Sequence, residues 1–439
     1  MFKKALCKSR NIAFWTLDSI KGKSIKKAYE EIKRIDQSDS RTDQVSEYQA
    51  NTLNKLLIHA NSTVDFYRGI QEYNLSNYPV VNKTKIRECQ EIFMSNSYCK
   101  KNLIKMSTSG STGTPFVCYQ NLEKKKRVNA EIIYYSEKAG YSVGGNLIFL
   151  RALTEKSRKS SFHQWIQNET LIDISNLDDK HIESLLGEVE RVSSSGSMIL
   201  AYASTLDAIR DYFNRRDTSK VGKSLITGIV SSSEMLFDDT RQTLSNAFNC
   251  KCISRYSNQE NGVIGQDDEL NNIFILNEAN YIIEILKMNE DKPVGEGEVG
   301  RIVITDLYNY AMPMIRYDTG DIGSITFVER EGVQKKAITN FGGRKIDVVY
   351  DCYGKRLSPH IITNNFWSFP EIQQYQFIQE TETQYTIKVN VDGFFEREHE
   401  LKNLLLKLLG LESEITIQKV DEIPVMASGK RKYIINKNN

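Results

Sequence analysis

Residues 225–256 read LITGIVSSSEMLFDDTRQTLSNAFNCKCISRY, and this stretch decides the fold. Leu225–Val230 is a short apolar run rich in β-branched side chains, long enough for a buried strand and too short for a helix. Three serines, Ser231, Ser232 and Ser233, interrupt it. From Glu234 onward the apolar period changes, and Met235, Leu236, Thr243, Leu244 and Phe248 fall on one helical face. Cys252–Tyr256 then reads as a strand again. A strand, a crossover helix and a second strand make the repeating unit of a parallel sheet.

The same rhythm extends upstream, where LIFL at 147–150 and MILA at 198–201 read as buried strands. Residues 20–60 read as helices, with Leu53, Leu56, Leu57 and Ala60 at helical spacing on one face. Downstream, short strands dominate: FIL at 274–276, YIIEIL at 281–286 and RIVIT at 301–305. Turn-rich pieces such as Gly295-Glu296-Gly297 separate them, which predicts an antiparallel sheet or small barrel. A last unit begins near residue 346, with QFIQ at 376–379, YTIKVNV at 385–391, a helix over 397–409 and ITIQKV at 415–420. The expected fold is therefore α/β, a large N-terminal domain over 1–344 with mostly parallel sheets and a small barrel. A small α+β domain over 345–439 follows, with Gly342-Gly343 as a hinge where glycine tolerates large backbone changes.

Bulk properties narrow the function classes. Lys+Arg total 58 against Asp+Glu 56, too balanced to argue for a nucleic-acid partner. Seven scattered cysteines without a CxxC pair argue against a disulfide framework and for a reducing, cytoplasmic setting. Zinc-ligand spacing is missing as well. No apolar run reaches the roughly 20 residues of a spanning helix. The basic start, Met1-Phe2-Lys3-Lys4-Ala5-Leu6-Cys7-Lys8, lacks the apolar core of a signal peptide. It reads as a solvated helix face, with weak contact to an anionic membrane as the alternative.

Ser107-Thr108-Ser109-Gly110-Ser111-Thr112-Gly113-Thr114-Pro115 carries the first chemical signal. Glycines let backbone N–H groups converge on one point, and hydroxyls add donors, which is the composition of a phosphate cradle. No GK[ST] follows, so it is not a Walker A loop. A flexible surface loop is the other reading of the same residues.

The segment resembles the phosphate loop of the adenylate-forming superfamily, which includes acyl-CoA synthetases, peptide-synthetase adenylation domains and luciferases. Four further segments are similar to that superfamily's motifs, in the same order. Arg255-Tyr256-Ser257-Asn258-Gln259-Glu260 resembles the aromatic-x-x-x-Glu motif, and Ile315-Arg316-Tyr317-Asp318-Thr319-Gly320-Asp321 the R-Y-x-T-G-D motif. Gly343-Arg344-Lys345-Ile346-Asp347 resembles the G-R-x-x-D hinge, and Pro424-Val425-Met426-Ala427-Ser428-Gly429-Lys430 the P-x-x-x-S-G-K motif. Within the superfamily the chain is most similar to the phenylacetate–CoA ligase and CapK-like capsule-biosynthesis branch. The length and the segment His59-Ala60-Asn61-Ser62-Thr63-Val64-Asp65-Phe66-Tyr67-Arg68 carry that narrower likeness.

The resemblance implies ATP and Mg²⁺ as cofactors and a small-molecule carboxylate as substrate, activated as an acyl-adenylate. The acyl group would then pass to an amine, or to CoA as co-substrate. A degenerate adenylate-binding scaffold is the non-enzymatic alternative. Ser109, Gly110, Ser111, Thr112, Gly113 and Thr114 would cradle phosphate, and Glu260 would hold magnesium. Tyr256 would stack on adenine, and Ser233 and Glu234 would border it. Asp321 would accept the ribose hydroxyls and Arg344 would meet phosphate or ribose oxygens. Lys430 would approach the carboxylate and the α-phosphate from a mobile C-terminal lid. The chain departs from the family pattern at Ser233, where a glycine is usual, at Phe116 after Pro115, and at Ile346 in the hinge. For the phosphates of CoA, the sequence offers Lys355 with Arg356, and the run Lys124-Lys125-Lys126-Arg127, whose other reading is a solvated helix face.

Overall fold

The computed structural model describes residues 2–438 apart from 108–115, 152–158, 175, 194–195, 216–223, 233–235, 268–272, 342–348, 358–361, 363–364, 367, 370, 392 and 424–433. By their own contacts the described residues group into two units, one from 2–107, 116–145 and 251–341, the other from 146–250 and 349–438.

The second unit contains the strand and helix that decide the fold. Ile226–Ser232, Ser197–Tyr202, Asn146–Arg151 and Glu169–Asp173 lie side by side in that order, and all three pairings are parallel. The helices Ser161–Gln167, Asp179–Val192 and Ala203–Arg215 connect or follow these strands, and Asp238–Phe248 follows the last of them. That last helix starts later than the apolar pattern suggests. Phe237 keeps extended backbone as its cap, and Asp238 and Asp239 fill a first turn where carboxylates are favoured. Leu244 and Phe248 are buried as expected and Leu236 is buried ahead of the helix. Thr243 is only half-buried, because it lies to the side of the face that Thr240, Arg241, Leu244 and Phe248 turn inward. Met235 lies outside the described residues.

The C-terminal part of this unit is the predicted α+β element. Ile372–Gln379 and Gln384–Val391 form an antiparallel pair, flanked in parallel by Ile434–Asn436 and Glu414–Lys419. The helix Glu398–Leu409 lays Leu401, Leu405 and Leu409, spaced by four, into a core with Phe377, Tyr385 and Ile387.

In the first unit the expected antiparallel region is a ladder. Its order is Tyr281–Leu286, Gly300–Asp306, Tyr317–Arg330, Val333–Thr339, Phe274–Leu276, Gly262–Asp267 and Lys251–Asn258. The 14-residue strand Tyr317–Arg330 pairs Gly300–Asp306 along its first half and Val333–Thr339 along its second. The helices Ser24–Gln37 and Leu122–Lys138 pack together through Ala28, Ile32, Ala130 and Tyr134. Leu56, Leu57 and Ala60 of the helix Asp43–Thr63 join a core with Phe116, Cys118 and Tyr317. None of the seven cysteines is in a disulfide.

Candidate active site

Tyr317 begins its strand beside Val81. The Val81 N–H donates to the Arg316 carbonyl at 3.0 Å, and the Asp318 N–H donates to the Val81 carbonyl at 2.7 Å. That parallel bridge fixes the start of the next short helix, Lys83–Glu88, which Asn82 caps by accepting from the Lys85 N–H at 2.9 Å. Lys83 therefore arrives beside Tyr317, and both meet Glu260. The Tyr317 hydroxyl donates to Glu260 Oε1 at 2.9 Å, and Lys83 Nζ lies 2.7 Å from the same oxygen. Glu260 is 1% exposed and Lys83 23%. The carboxylate is thus a buried anion neutralised by one partly open cation. Phe116, which follows the glycine–hydroxyl loop, stacks on Tyr317 with ring centroids 6.4 Å apart, so its apolar side chain seals this pair.

A second tyrosine–carboxylate pair lies in the same unit. Tyr256 donates its hydroxyl to Asp321 Oδ2 at 2.9 Å, and the Asp321 N–H donates to Thr319 Oγ1 at 3.0 Å. The Tyr256 ring is buried against Phe341 and Phe274. Burial, followed by the Asp321 charge, pushes the Tyr256 hydroxyl well above its ordinary pKa. Burial, followed by the Glu260 charge, does the same to Tyr317. Glu260 also raises Tyr256, and Asp321 raises Tyr317, so the two pairs share one electrostatic environment. Both hydroxyls remain protonated donors across the physiological range.

The turn that presents Glu260 is clamped from below. Gln120 donates to the Glu260 carbonyl at 3.0 Å, and the Asn261 N–H donates to Asn258 Oδ1 at 2.7 Å. Tyr281 donates to the Asn261 carbonyl at 2.7 Å, and the Val263 N–H donates to Glu131 Oε2 at 2.9 Å. Beneath them Lys124 Nζ lies 2.8 Å from Asp306 Oδ2, an ion pair outside hydrogen-bond geometry, and 3.1 Å from the Tyr281 hydroxyl. Lys124, Glu131 and Asp306 are all fully closed to solvent. Arg127 closes the network on Asn280, on Glu31 and on the Tyr48 hydroxyl.

This overturns both readings for two residues of the run, Lys124 and Arg127, while Lys125 and Lys126 stay partly exposed. Helical spacing turns Lys124 and Arg127 to the same inward face, where Glu131, Asp306 and Glu31 neutralise them. Neither is solvated and neither is available to a phosphate.

Gly262 stands at the centre of the clamp with φ +129°, and a Cβ there would meet the Glu131 carboxylate and the Tyr281 hydroxyl. Gly262→Ala is expected to lose about 1–3 kcal/mol of stability from backbone strain. It should also displace Glu260 and lower turnover more than it raises KM for ATP. Urea unfolding and steady-state kinetics check both. Normal kinetics at reduced stability would separate the clamp from the site.

Of the residues to which the sequence motifs point, the structure brings together Glu260, Tyr256 and Asp321. Lys83 is not among those the motifs contain. Its nearest sequence signal is Asn82, a capping residue that puts Lys83 in a helix's first turn, which says nothing of Glu260. Tyr317 stands inside a motif that gives it no role. Arg316, in the same motif, is a structural residue: with φ +51° it turns its guanidinium onto Glu284 at 3.1 Å and the Tyr78 carbonyl at 3.0 Å. Residues 109–114, Ser233, Glu234, Arg344 and Lys430 lie outside the described residues.

Comparison with known proteins agrees with this architecture. Residues 349–437 match the CapK C-terminal domain family. Protein CapK of Staphylococcus aureus is 22% identical over 451 residues, covering 95% of each chain. Among solved structures, a 2-hydroxyisobutyryl-CoA ligase in complex with 2-HIB-AMP and CoA superposes with TM-score 0.60 and 15% identity, over 91% of each chain. The same ligase in its postadenylation state with R3-HIB-AMP gives TM-score 0.56 and 14% identity, again over 91% of each. The chain has the fold of the adenylate-forming ligases.

Proposed function

We propose that this chain is an ATP-dependent, AMP-forming ligase that activates a carboxylate as its acyl-adenylate and transfers the acyl group to an amine during surface-polysaccharide synthesis. The observation that carries the reading is Glu260, a buried carboxylate shared by Lys83 and Tyr317, in the fold of a ligase solved with an acyl-AMP.

In the first step a carboxylate oxygen of the substrate bonds the α-phosphorus of ATP, and pyrophosphate leaves. Residues 109–114 cradle phosphate, and Ser233 and Glu234 border the adenine beside Tyr256. Asp321, oriented by Tyr256 and Thr319, accepts the ribose hydroxyls, and Arg344 meets phosphate or ribose oxygens. Lys430, on a mobile domain over 345–439, donates to the developing negative charge. In the second step the amine nitrogen bonds the acyl carbon, and AMP leaves.

The donor set at Glu260 suits magnesium of a particular kind. Glu260 is one hard carboxylate, and no cluster of three ligating side chains occurs among the described residues. A magnesium ion there would take its other ligands from phosphate and water, as this ion commonly does, and neutralise phosphate charge. Lys83 sits on the same carboxylate oxygen and, with Tyr317, holds the Glu260 side chain in place.

The acceptor reading has its own support. Lys124 and Arg127, two of the cations the sequence offers to CoA, are sealed in ion pairs. Lys355 lies 3.6 Å from Asp178, in a cleft of about 530 Å³ that Asp178, Asp179, Asp211, Arg215 and Tyr350 also line. Asp178 pairs with Lys355, Asp179 with Arg215 and Asp211 with Arg210, so the cations here are already engaged by carboxylates, which disfavours a ligand with three phosphates. The side chain of Arg356 lies outside the described set.

ATP–pyrophosphate exchange over a panel of carboxylates tests the reading. Carboxylate-dependent exchange supports activation, and ATP binding without exchange for any of them leaves a scaffold. Adding CoA or amino sugars to the accepted carboxylate then decides the acceptor. Saturable acyl-CoA formation above about 1 s⁻¹, the low end of ordinary turnover, would remove the amine.

Glu260→Gln is expected to raise the magnesium concentration needed for half-maximal exchange about tenfold or more, with ATP affinity at saturating magnesium little changed. The amide keeps the shape and loses the charge that a hard cation requires. An unchanged magnesium curve would return Glu260 to a structural role.

A further inference from the structure

The helix Phe2–Ile20 carries an outward face that no other part of its unit covers. Ile12 is 58% exposed, Leu17 55% and Ile20 76%. Ala5, Ala13 and Thr16 are exposed with them, at spacings of three, four and eight, so the face is continuous along the helix. The opposite face is anchored: Asn11 donates to the Val143 carbonyl at 3.0 Å, and the buried Asp18 accepts the N–H groups of Ile25 and Lys26 at 3.1 and 2.9 Å. The exposed residues are therefore held outward by the fold.

Charge identifies what the face meets. Residues 1–28 hold eight lysines and arginines against one acidic residue, Asp18, which is turned inward. The whole chain holds 58 against 56, so the other residues are net acidic, with 50 against 55. The eight cations flank the apolar strip, Lys26 among them also pairing with Glu30 at 2.8 Å. Lys3, Lys4, Lys8 and Arg10 stand at its start, and Lys21, Lys23, Lys26 and Lys27 stand beyond its end. The exposed residues Lys8, Lys21, Lys23 and Lys27 project around the strip. An apolar helix face lying in an interface, with cations at both ends reaching lipid phosphates, is the geometry of a peripheral membrane helix. Among the described residues no helix is long and apolar enough to cross a membrane.

We propose that the helix Phe2–Ile20 docks this protein, lying flat, on a membrane surface rich in anionic lipid. A second copy of the chain would pair like charge with like at both ends of the strip, which is why the lipid is preferred as occupant. The placement is independent of the catalytic reading, since none of these residues belongs to that site.

Cosedimentation of the full chain with extruded vesicles tests it. Vesicles of phosphatidylcholine with phosphatidylglycerol should retain the protein, and vesicles of phosphatidylcholine alone should not. Retention should fall about tenfold or more in Ile12→Asp/Leu17→Asp, and by a similar factor in Lys21→Glu/Lys23→Glu. Raising salt should weaken wild-type binding in the same direction. All four positions are exposed, so circular dichroism and thermal melting should match the wild type. No binding to anionic vesicles, or equal binding to neutral ones, overturns the proposal. So does concentration-dependent dimerisation that Ile12→Asp/Leu17→Asp abolishes, because a second copy would then own the face.

Discussion

Lys124→Met is expected to destabilise the folded protein by about 3–5 kcal/mol, the cost of leaving buried charges without their partner. Lys124 is 0% exposed and is the cation between Asp306 and Glu131, which are equally closed to solvent. Methionine fills the same space and supplies no charge. The result should also depend on pH in a particular direction. Burial already raises the Glu131 carboxyl above its ordinary pKa, and the Lys124 charge is the chief influence opposing that rise. Without Lys124 the carboxyl rises further. A group whose folded pKa lies above its unfolded value contributes stability at low pH and loses it as pH climbs through the folded value. The deficit of Lys124→Met should therefore shrink as the solution is acidified below neutrality and grow toward alkaline pH. Thermal melts across that range measure it. A variant that melts with the wild type at every pH would mean the network contributes nothing, and the clamp under Glu260 would need another explanation.

This network also marks the limit of what a sequence displays. The strands at 147–150, 198–201, 226–230, 281–286 and 301–305 are legible because each is a short, mostly apolar run in which at least every second residue is buried. The late start of the helix after Ser233 is not, because the apolar period begins in the loop and the true cap, Phe237, has no capping side chain to announce it. Lys124 and Arg127 mislead for a related reason. Charged residues on a helix read as solvent-facing unless their partners are visible, and the partners here lie 7 to about 180 residues away along the chain, at Glu131, Asp306 and Glu31.

The site divides along the same line. Glu260, Tyr256 and Asp321 are found through motifs, whose spacing survives because each motif is one strand end with its turn. Lys83 cannot be found that way. It meets Glu260 only because the bridge between Val81 and Tyr317 brings a distant short helix to the strand, and nothing local to Lys83 records that pairing. Tyr317 shows the intermediate case, a residue inside a legible motif whose task, donating to Glu260, becomes visible only with its neighbour in place.

Lys430→Ala is expected to slow carboxylate-dependent ATP–pyrophosphate exchange about 10²–10³-fold, equivalent to about 2.7–4 kcal/mol of transition-state stabilisation. The loss should appear in turnover, because a donor aimed at charge that develops during the reaction contributes little to the bound ground state. Melting temperature should be unchanged, in contrast to Lys124→Met. The two lysines thus make opposite predictions: one is buried among carboxylates and serves the fold, the other is proposed to serve the chemistry from a mobile domain. A further consequence separates the two half-reactions. When acyl-adenylate is supplied ready-made, Lys430→Ala should transfer the acyl group to the acceptor at close to the wild-type rate, since the step that needs the donor has been bypassed. A variant with normal exchange would remove Lys430 from the mechanism. A variant equally slow in both half-reactions would assign Lys430 to adenylate binding, and the α-phosphate would then have to be served by another cation, of which Lys83 is the first to test.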